Sequence, residues 1–327
     1  MKIMKVLPAL AATALLSGCS LLKSGANYNP KKYKNEDTCE NLNTAYDKLA
    51  EESSIPKNMD PTDVSYKGAF MYDNEGTIKN NGKVRTLSAT SYEEKLEVQF
   101  DADSNILHTS VKANAKMKMS QGFGAMKYDV KGADSIDGYA KQEKKGEAEY
   151  EITIADLKEK EYSKIQSSSE TALYQTAFSR TLIQSGFTFG EFISVGSYNN
   201  LSEEAKAEYK FYVDGNVLTQ VQTIKSESST EEYEKVSKST YLYQIIINGE
   251  EMSFAYNSEQ VITYTYLKDY SDYLAGEVRE TTTIMKAKGT FLFKDVTVKM
   301  ADISKLQEVE NKYDIGNIFQ TKIEIGA

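Results

Sequence analysis

The sequence predicts a mainly β (α+β) protein, in which a long antiparallel β-meander forms a curved sheet or half-barrel with two or three amphipathic helices. The main evidence is an alternation of apolar and polar residues, clearest from Leu107 to Met119. Such a strand has one buried and one solvated face, as is typical of antiparallel sheets. The turn sequences DADSN, DGN and NGE separate many of the alternating runs. Together these signals predict roughly eleven to thirteen strands.

The composition agrees with a folded domain and excludes one class of partner. The chain has 327 residues, of which 40% are hydrophobic and 27% charged, so it can bury a sizeable core. Its net charge is -9. Nucleic acid is therefore not an expected partner, because binding it requires clustered positive charge.

The first element along the chain is an N-terminal export signal. Lys2 and Lys5 precede an apolar run from Val6 to Leu16, which is too short to span a bilayer as a helix. A simple cleaved signal would leave the following cysteine incidental. The four residues that end the signal resemble the bacterial lipobox: Leu16, Ser17, Gly18 and Cys19. The resemblance implies that Cys19 is acylated, with chains such as palmitate, and becomes the first residue of the mature protein.

The expected organisation is a signal peptide (1–18), a lipidated tether (19–35) and a β-rich extracytoplasmic domain (36–327). A second acyl chain makes membrane anchoring stable, whereas one chain alone holds only marginally. The resemblance thus implies a cell-envelope protein on the extracytoplasmic side of a bacterial membrane. Because Ser20 is not aspartate, this would be the outer membrane in a cell that has one. The sequence does not separate that case from a single-membrane cell.

A first helix is predicted after the tether. Cys39, Leu42, Tyr46 and Leu49 recur at the spacing of one helical face. Asp37 and Glu40 resemble a capping box at its start, and Pro56 follows its end. Cys39 is interpreted as a small core residue, with an intermolecular disulfide as the alternative.

Further elements interrupt or end the meander. A second amphipathic helix is predicted from about Ser169 to Ser185, stopped by Gly186. A short helix around Ile303, Leu306 and Val309 and a last strand at Ile318 to Ile325 complete the chain.

A faint internal repeat raises the question of duplication. Residues 95–113 (KLEVQFDADSNILHTSVKA) and 208–226 (EYKFYVDGNVLTQVQTIKS) both read as strand, acidic turn and strand. The chain could therefore consist of two helix-plus-meander halves, 36–160 and 161–327. Alternatively, the similarity is only that of any two antiparallel hairpins.

Few residues suggest chemistry. His108 is the one histidine, which excludes a two-histidine zinc motif, and no G-x-S-x-G serine motif or glycine-rich phosphate loop occurs. The segment DADSN (101–105) begins like a calcium-binding loop. However, Ile106 stands where such a loop needs glycine, and Lys112 stands where it needs glutamate. The sequence therefore predicts no metal and no cofactor. A hydrolase based on paired carboxylates is the remaining enzymatic reading.

Tyrosines are abundant and suggest either packing or contact. Tyr264, Tyr266, Tyr270 and Tyr273 crowd one strand and the loop after it. They could pack on the sheet, or they could form an apolar groove or an exposed contact face.

The overall pattern weakly resembles the LolA-like and LppX-like envelope lipoproteins and carriers. That resemblance is one of architecture, a tether and helices on a curved sheet, and it implies a hydrophobic cavity that holds a lipid or other hydrophobic ligand without catalysis. The residues expected to line it are Leu107, Val111, Met117, Met119, Phe178, Leu182 and Phe187. The alternative is a surface-exposed structural or interaction lipoprotein with a dry core and no small-molecule ligand, whose partner would be another envelope protein.

Overall fold

The computed structural model describes residues 36–53, 61–120, 127–176, 192–269, 275–310 and 312–313. These residues form one open, curved sheet of thirteen strands with a few short helices. The predicted fold class is therefore confirmed.

The strands are unusually long, and five of them have 16 to 19 residues. At about 3.3 Å per residue, the longest spans roughly 60 Å. The strands are β1 (Glu36–Asp37), β2 (Val64–Asn80), β3 (Lys83–Asp101), β4 (Ile106–Ser120), β5 (Lys127–Lys144), β6 (Tyr150–Asp156), β7 (Glu161–Ser167), β8 (Tyr209–Asp214), β9 (Val217–Ser229), β10 (Tyr233–Asn248), β11 (Glu251–Tyr266), β12 (Val278–Leu292) and β13 (Gln307–Glu308).

The sheet joins two meanders. Its order is β1-β8-β9-β10-β11-β12-β2-β3-β4-β5-β6-β7-β13, and the antiparallel β12–β2 pair connects the second meander to the first. A two-residue strand closes each edge, and β13 alone pairs in parallel, with β7. The hairpins of the internal repeat are β3–β4 and β8–β9, which occupy different positions within their meanders.

The first helix, α1 (Cys39–Glu52), has the predicted buried face, but its cap differs from the prediction. Thr38 is the N-cap, and its side chain accepts a hydrogen bond from the Asn41 backbone N–H. Asp37 lies one residue earlier and accepts from the Asn41 side-chain amide at 2.6 Å. The capping-box prediction at Asp37 was therefore wrong by one residue, because the Thr38 hydroxyl, and not the Asp37 carboxylate, accepts the hydrogen bond from the Asn41 backbone N–H.

The remaining helices are short. Residues 172–176 form α2, within the predicted second helix, whose continuation lies outside the described residues. Two further helices, α3 (Val195–Asn199) and α4 (Glu203–Lys206), precede β8. The predicted C-terminal helix is only a 3₁₀ turn, Ile303–Lys305, because the backbone then pairs with β7 as β13. The predicted last strand at 318–325 lies outside the described residues.

The core lies at one end of the sheet and on one face. We call that face the inner face and the opposite one the outer face. The core end holds the β3–β4 turn, and the distal end holds the β2–β3 turn. Helix α1, α2 and Phe192 pack over the inner face at the core end. The largest fully buried side chains are Tyr66, Tyr174, Phe100, Phe254, Phe291, Leu42, Leu96, Leu107, Ile152 and Ile154.

Buried polar groups fix the core end. Asp101, at the DADSN hairpin turn, accepts backbone hydrogen bonds from Ser104 at 2.9 Å and Val298 at 3.1 Å. Burial alone would raise the pKa of Asp101, but these hydrogen bonds outweigh it and lower the pKa below its usual range. Asp63 binds the same two chain segments through Ala102 and Val296. The turn and the segment after β12 are thus held together.

Candidate functional site

The strand register divides the inner face into cross-strand rows of changing polarity. In the part of the row that runs from Val111 and Leu96 to Leu218, every side chain is buried or is a glycine. The other members of this row are Gly68, Gly289, Phe254, Ile245 and Leu218. This row belongs to the packed core, and the polarity rises from here toward the distal end.

Two rows further on lies what we call the aromatic row. It consists of four residues, Tyr92, Tyr72, Met285 and Tyr241, and the buried Ser258 separates the last two. Tyr72 is directly opposite Tyr92 on one side and Met285 on the other. All four side chains are half-buried. Tyr92 also packs on Phe70 at a ring distance of 6.1 Å and donates a hydrogen bond to the buried carboxylate of Glu94. The row is therefore apolar on its surface and held in place from the core side.

The next row toward the distal end, the amide row, carries amides and hydroxyls. Asn74 donates to Thr283 Oγ1 at 2.8 Å, and Gln260 donates to Ser239 Oγ at 3.3 Å. The row consists of Met117, Thr90, Asn74, Thr283, Gln260 and Ser239. An apolar row beside a polar one is a surface with the polarity of an amphiphile.

The predicted lining residues occupy different parts of this face. Leu107 and Val111 are 0% exposed and belong to the core cluster. Met117 is half-buried in the amide row, where it faces the open part of the inner face. The side chains of Met119, Phe178, Leu182 and Phe187 lie outside the described residues.

The aromatic row was missed at the sequence level. In β2, Met71 lies between Phe70 and Tyr72, so this part of the strand lacks a clean alternation. Met71 is buried on the outer face. Apolar residues therefore occur at both odd and even positions of this segment, so the sequence does not show which face is buried. The signal that could have found the row is the pair of tyrosines, Tyr72 and Tyr92, whose distances from the β2–β3 turn differ by only one residue, the irregularity at Gly76 and Thr77.

The one histidine lies on the outer face, as predicted. His108 Nε2 is 2.9 Å from Asp137 Oδ1, and the ring stacks on Tyr139 at 4.3 Å. Its side chain is 23% exposed. His108 Nδ1 is also 3.4 Å from Gln99 Oε1 of β3. No serine or cysteine within the described ranges shares these hydrogen bonds, so contacts to β3 and β5 hold the ring in place.

The outer face carries a polar groove of about 380 Å³ near the distal end. Asp73 and Glu75 form one side and Lys116 and Lys118 the other. The remaining lining residues are Asn74, Ala89, Thr90, Ser91, Thr282 and Ile284.

The charged residues around the groove shift one another's pKa values. Burial and the nearby Glu93 raise the pKa of Asp73, while Lys286 opposes the shift. Burial lowers the pKa of Lys286, which is 3% exposed, and the carboxylates of Asp73 and Glu259 oppose that shift. The groove wall therefore combines partly desolvated charges of both signs.

The tyrosine-rich loop is only partly described. Tyr233 makes edge contacts with Tyr264 at 5.4 Å and Tyr266 at 6.3 Å, and the Arg279 guanidinium lies 5.8 Å from the Tyr266 ring. Tyr264 and Tyr266 thus pack against side chains of neighbouring strands, as expected if the tyrosines serve sheet packing. Tyr270 and Tyr273 lie outside the described residues.

The described residues contain neither a membrane-spanning helix nor a cluster of metal ligands. None of the described helices is long and apolar enough to cross a bilayer. Within the same ranges, no three His, Cys, Asp or Glu side chains converge as metal ligands would.

No protein-family model matches the sequence, and no curated protein is significantly similar to it. Solved structures overlap only loosely. The outer membrane protease OmpT from Escherichia coli aligns with 74% of this chain and 100% of its own, at 6% identity and a TM-score of 0.18. The translocator domain of the autotransporter NalP from Neisseria meningitidis aligns with 77% and 93%, at 8% identity and a TM-score of 0.19. A Pseudomonas aeruginosa FadL homologue aligns with 71% and 90%, at 6% identity and a TM-score of 0.14. Such scores do not establish a shared fold.

Proposed function

We propose that this protein is a lipid-anchored cell-envelope protein that binds an amphiphile with an acyl chain on the inner face of its sheet. The observation that carries the proposal is the aromatic row beside the amide row. The acyl chain would lie on Tyr92, Tyr72 and Met285, and the polar head would reach Asn74 and Gln260. The role requires no catalytic group.

The packing of the two ends supports this placement. At the core end the inner face is filled by side chains, since Leu107 and Val111 are fully buried. At the aromatic row the side chains are only half-buried. Tyrosine and methionine provide large apolar contact surfaces, and methionine adapts to ligands of varied shape.

The anchor in this proposal is Cys19. The described chain starts at Glu36 in β1, which pairs with β8 at the core end. A tether from Cys19 would therefore join the domain at its core end, leaving the distal end furthest from the attachment point.

The ligand is tested with a tryptophan reporter, because the chain contains no tryptophan. Tyr241→Trp places the reporter in the aromatic row. Thr240→Trp is the matched control, since Thr240 is also half-buried but lies on the outer face of the same strand. A brominated fatty acid should quench Tyr241→Trp saturably and leave Thr240→Trp unquenched. Equal quenching of both reporters, or of neither, contradicts the proposed site.

The anchor is tested with the two cysteines. Cys19→Ala should move the protein from the membrane fraction to the soluble fraction and abolish incorporation of labelled palmitate. Cys39→Ala should leave both unchanged, because Cys39 is buried under α1 with its thiol 3.4 Å from the Ile193 carbonyl. Membrane association that survives Cys19→Ala contradicts the lipid anchor.

The second candidate is a surface interaction protein without a small-molecule ligand. Exposed apolar side chains near the distal end favour it: Val84 is 63% exposed and Val236 45%. An unquenched Tyr241→Trp reporter would shift the conclusion to this function.

A further inference from the structure

A group of exposed lysines lies on the outer face of β4 and β5. Lys112, Lys116 and Lys118 alternate along β4, and Lys131 lies directly opposite Lys116 on β5. All four are exposed. We call them the lysine ladder.

The ladder is arranged against the stability of the sheet. Like charges directly opposite each other on neighbouring strands are destabilising, and Lys116 faces Lys131 in this way. Lys112 faces another lysine, Lys95 of β3. Lys118, in contrast, lies directly opposite Asp129 of β5 in the strand register. Among the residues that the structure describes, no carboxylate lies within 4.0 Å of any ladder lysine. The protein as a whole carries a net charge of -9, so the cluster does not reflect a general excess of lysine over acid.

Lysines closer to the core end behave differently. Lys141 and Lys145 both bind Glu143, at 2.6 and 2.8 Å, and Lys158 binds Asp134 at 2.5 Å. Carboxylates are thus placed beside lysines where pairing serves the fold. Lys116 and Lys131 instead face each other, and an external anion bound between them would relieve this repulsion.

The ladder continues into the outer-face groove, because Lys116 and Lys118 form one of its sides. The opposite side carries the carboxylates Asp73 and Glu75, and Ser91 and Thr282 add hydroxyls. Its volume of about 380 Å³ is within the range of small-ligand sites. Cations along one side and acceptors along the other suit a ligand that carries both anionic groups and hydroxyl donors.

We infer that the outer-face groove and the lysine ladder bind an anionic glycan. Its carboxylate or phosphate groups contact the ladder, and its sugar hydroxyls donate hydrogen bonds to Asp73 and Glu75. The ladder and the carboxylates Asp73 and Glu75 lie on the opposite face from the aromatic row, whereas Asn74 and Thr90 of the amide row also border the groove.

The carboxylates distinguish a glycan from other polyanions. An anionic bilayer or an acidic protein offers few hydroxyl donors, so Asp73, Glu75 and Glu93 would repel it. A neutral sugar would not require the ladder. Only a ligand with both features makes use of both sides of the groove.

The test measures fluorescence anisotropy of a labelled oligogalacturonate and a labelled phosphomannan with the full chain. Lys116→Gln, Lys118→Gln and Lys131→Gln, combined, should weaken binding about tenfold, since exposed ion pairs contribute modestly each. The matched control combines Lys48→Gln, Lys268→Gln and Lys305→Gln, which removes the same charge at exposed lysines elsewhere. It should change binding less than about twofold. Cooperative thermal unfolding of each variant establishes that it is folded.

A second variant decides between a glycan and a general polyanion. Asp73→Asn with Glu75→Gln should weaken binding of the glycan probes, because two hydrogen-bond acceptors for sugar hydroxyls lose their charge. Tighter binding by this variant, with tighter binding to phosphatidic acid vesicles, whose head groups have no alcohol hydroxyls, would overturn the proposal in favour of plain charge attraction. Absence of saturable binding of both glycan probes to the unmodified chain would also overturn it.

Discussion

The core end and the distal half of the sheet are built from the same strands but differ in how their side chains are buried and packed. At the core end of β3, the inner-face residues Leu96, Val98 and Phe100 are at most 1% exposed. At the distal end of the same strand, residues 83–86 are all exposed. Distal strands carry many threonines and serines, and side-chain hydrogen bonds such as Asn74 to Thr283 replace apolar packing.

The comparison indicates that stability and binding are separated along the strands. The core end contains the tight aromatic contacts, for example Tyr66 and Phe291 at a ring distance of 4.6 Å. The distal half contains half-buried tyrosines on one face and the lysine ladder on the other. Strands that extend past their core gain little free energy of folding from the extension, so both candidate sites lie where substitutions cost little.

The largest difference between the two regions is expected for truncation of leucine. Leu96→Ala removes a side chain that is 0% exposed and should lower the free energy of unfolding by about 3 kcal/mol. Leu87→Ala, on the same strand, removes a half-buried leucine beside the irregularity opposite Gly76 and Thr77, and should cost less than about 1 kcal/mol. Chemical denaturation of both variants measures the difference. Equal losses would mean that the distal half is as tightly packed as the core end.

A second pair compares glycines. A β-carbon at Gly289 would lie 2.6 Å from the Tyr66 ring and 2.7 Å from the Phe254 ring, and both rings are fully buried. Gly289→Ala should therefore lower stability by about 1 to 3 kcal/mol, as is usual for an overpacked core. Gly76→Ala would meet only the Ser88 hydroxyl, at 2.8 Å, which can rotate away. Thermal unfolding should show a clear loss for the first variant and a small one for the second.

The sequence contains enough to predict the core end and the class of the fold. Alternation places Leu107 and Val111 on the buried face, and the spacing of Cys39 and Leu42 places α1 on it. The distal rows could not be predicted in the same way, because their chemistry depends on which strands are neighbours. Tyr72 meets Met285, 213 positions later in the chain, only through the β12–β2 pairing, which no local pattern encodes. The lysine ladder also becomes visible only with the β4–β5 register.

The contributions of Asp101 and Asp73 to stability should change in opposite directions with pH. The lowered pKa of Asp101 means that its charged form stabilises the fold above the unfolded pKa of about 3.9, and that this stability is lost as pH falls through the folded pKa. Asp101→Asn should therefore cost about 1 to 2 kcal/mol at neutral pH and less in strong acid. The raised pKa of Asp73 has the reverse consequence, since its ionisation destabilises the fold as pH rises through the folded pKa. Asp73→Asn should leave the free energy of unfolding unchanged or raise it slightly at neutral pH. Denaturation of both variants at several pH values measures these changes. If both substitutions change the free energy of unfolding in the same direction, this reasoning is wrong.

The smallest expected effect is the most informative about the distal half. Lys131→Glu places a carboxylate directly opposite Lys116 and diagonal to Lys118, which should raise the free energy of unfolding by about 0.2 to 1 kcal/mol. Lys131→Gln removes only the repulsion and should give a smaller gain, so denaturation of the two variants separates repulsion from new pairing. The same Lys131→Glu change should weaken glycan binding, because the new carboxylate competes for the lysines that the ligand would contact. A variant that is more stable but binds less would mean that the ladder is placed for recognition at the expense of the sheet. A variant that loses stability would instead mean that Lys131 already has a favourable environment, and the separation of stability from binding along these strands would not hold.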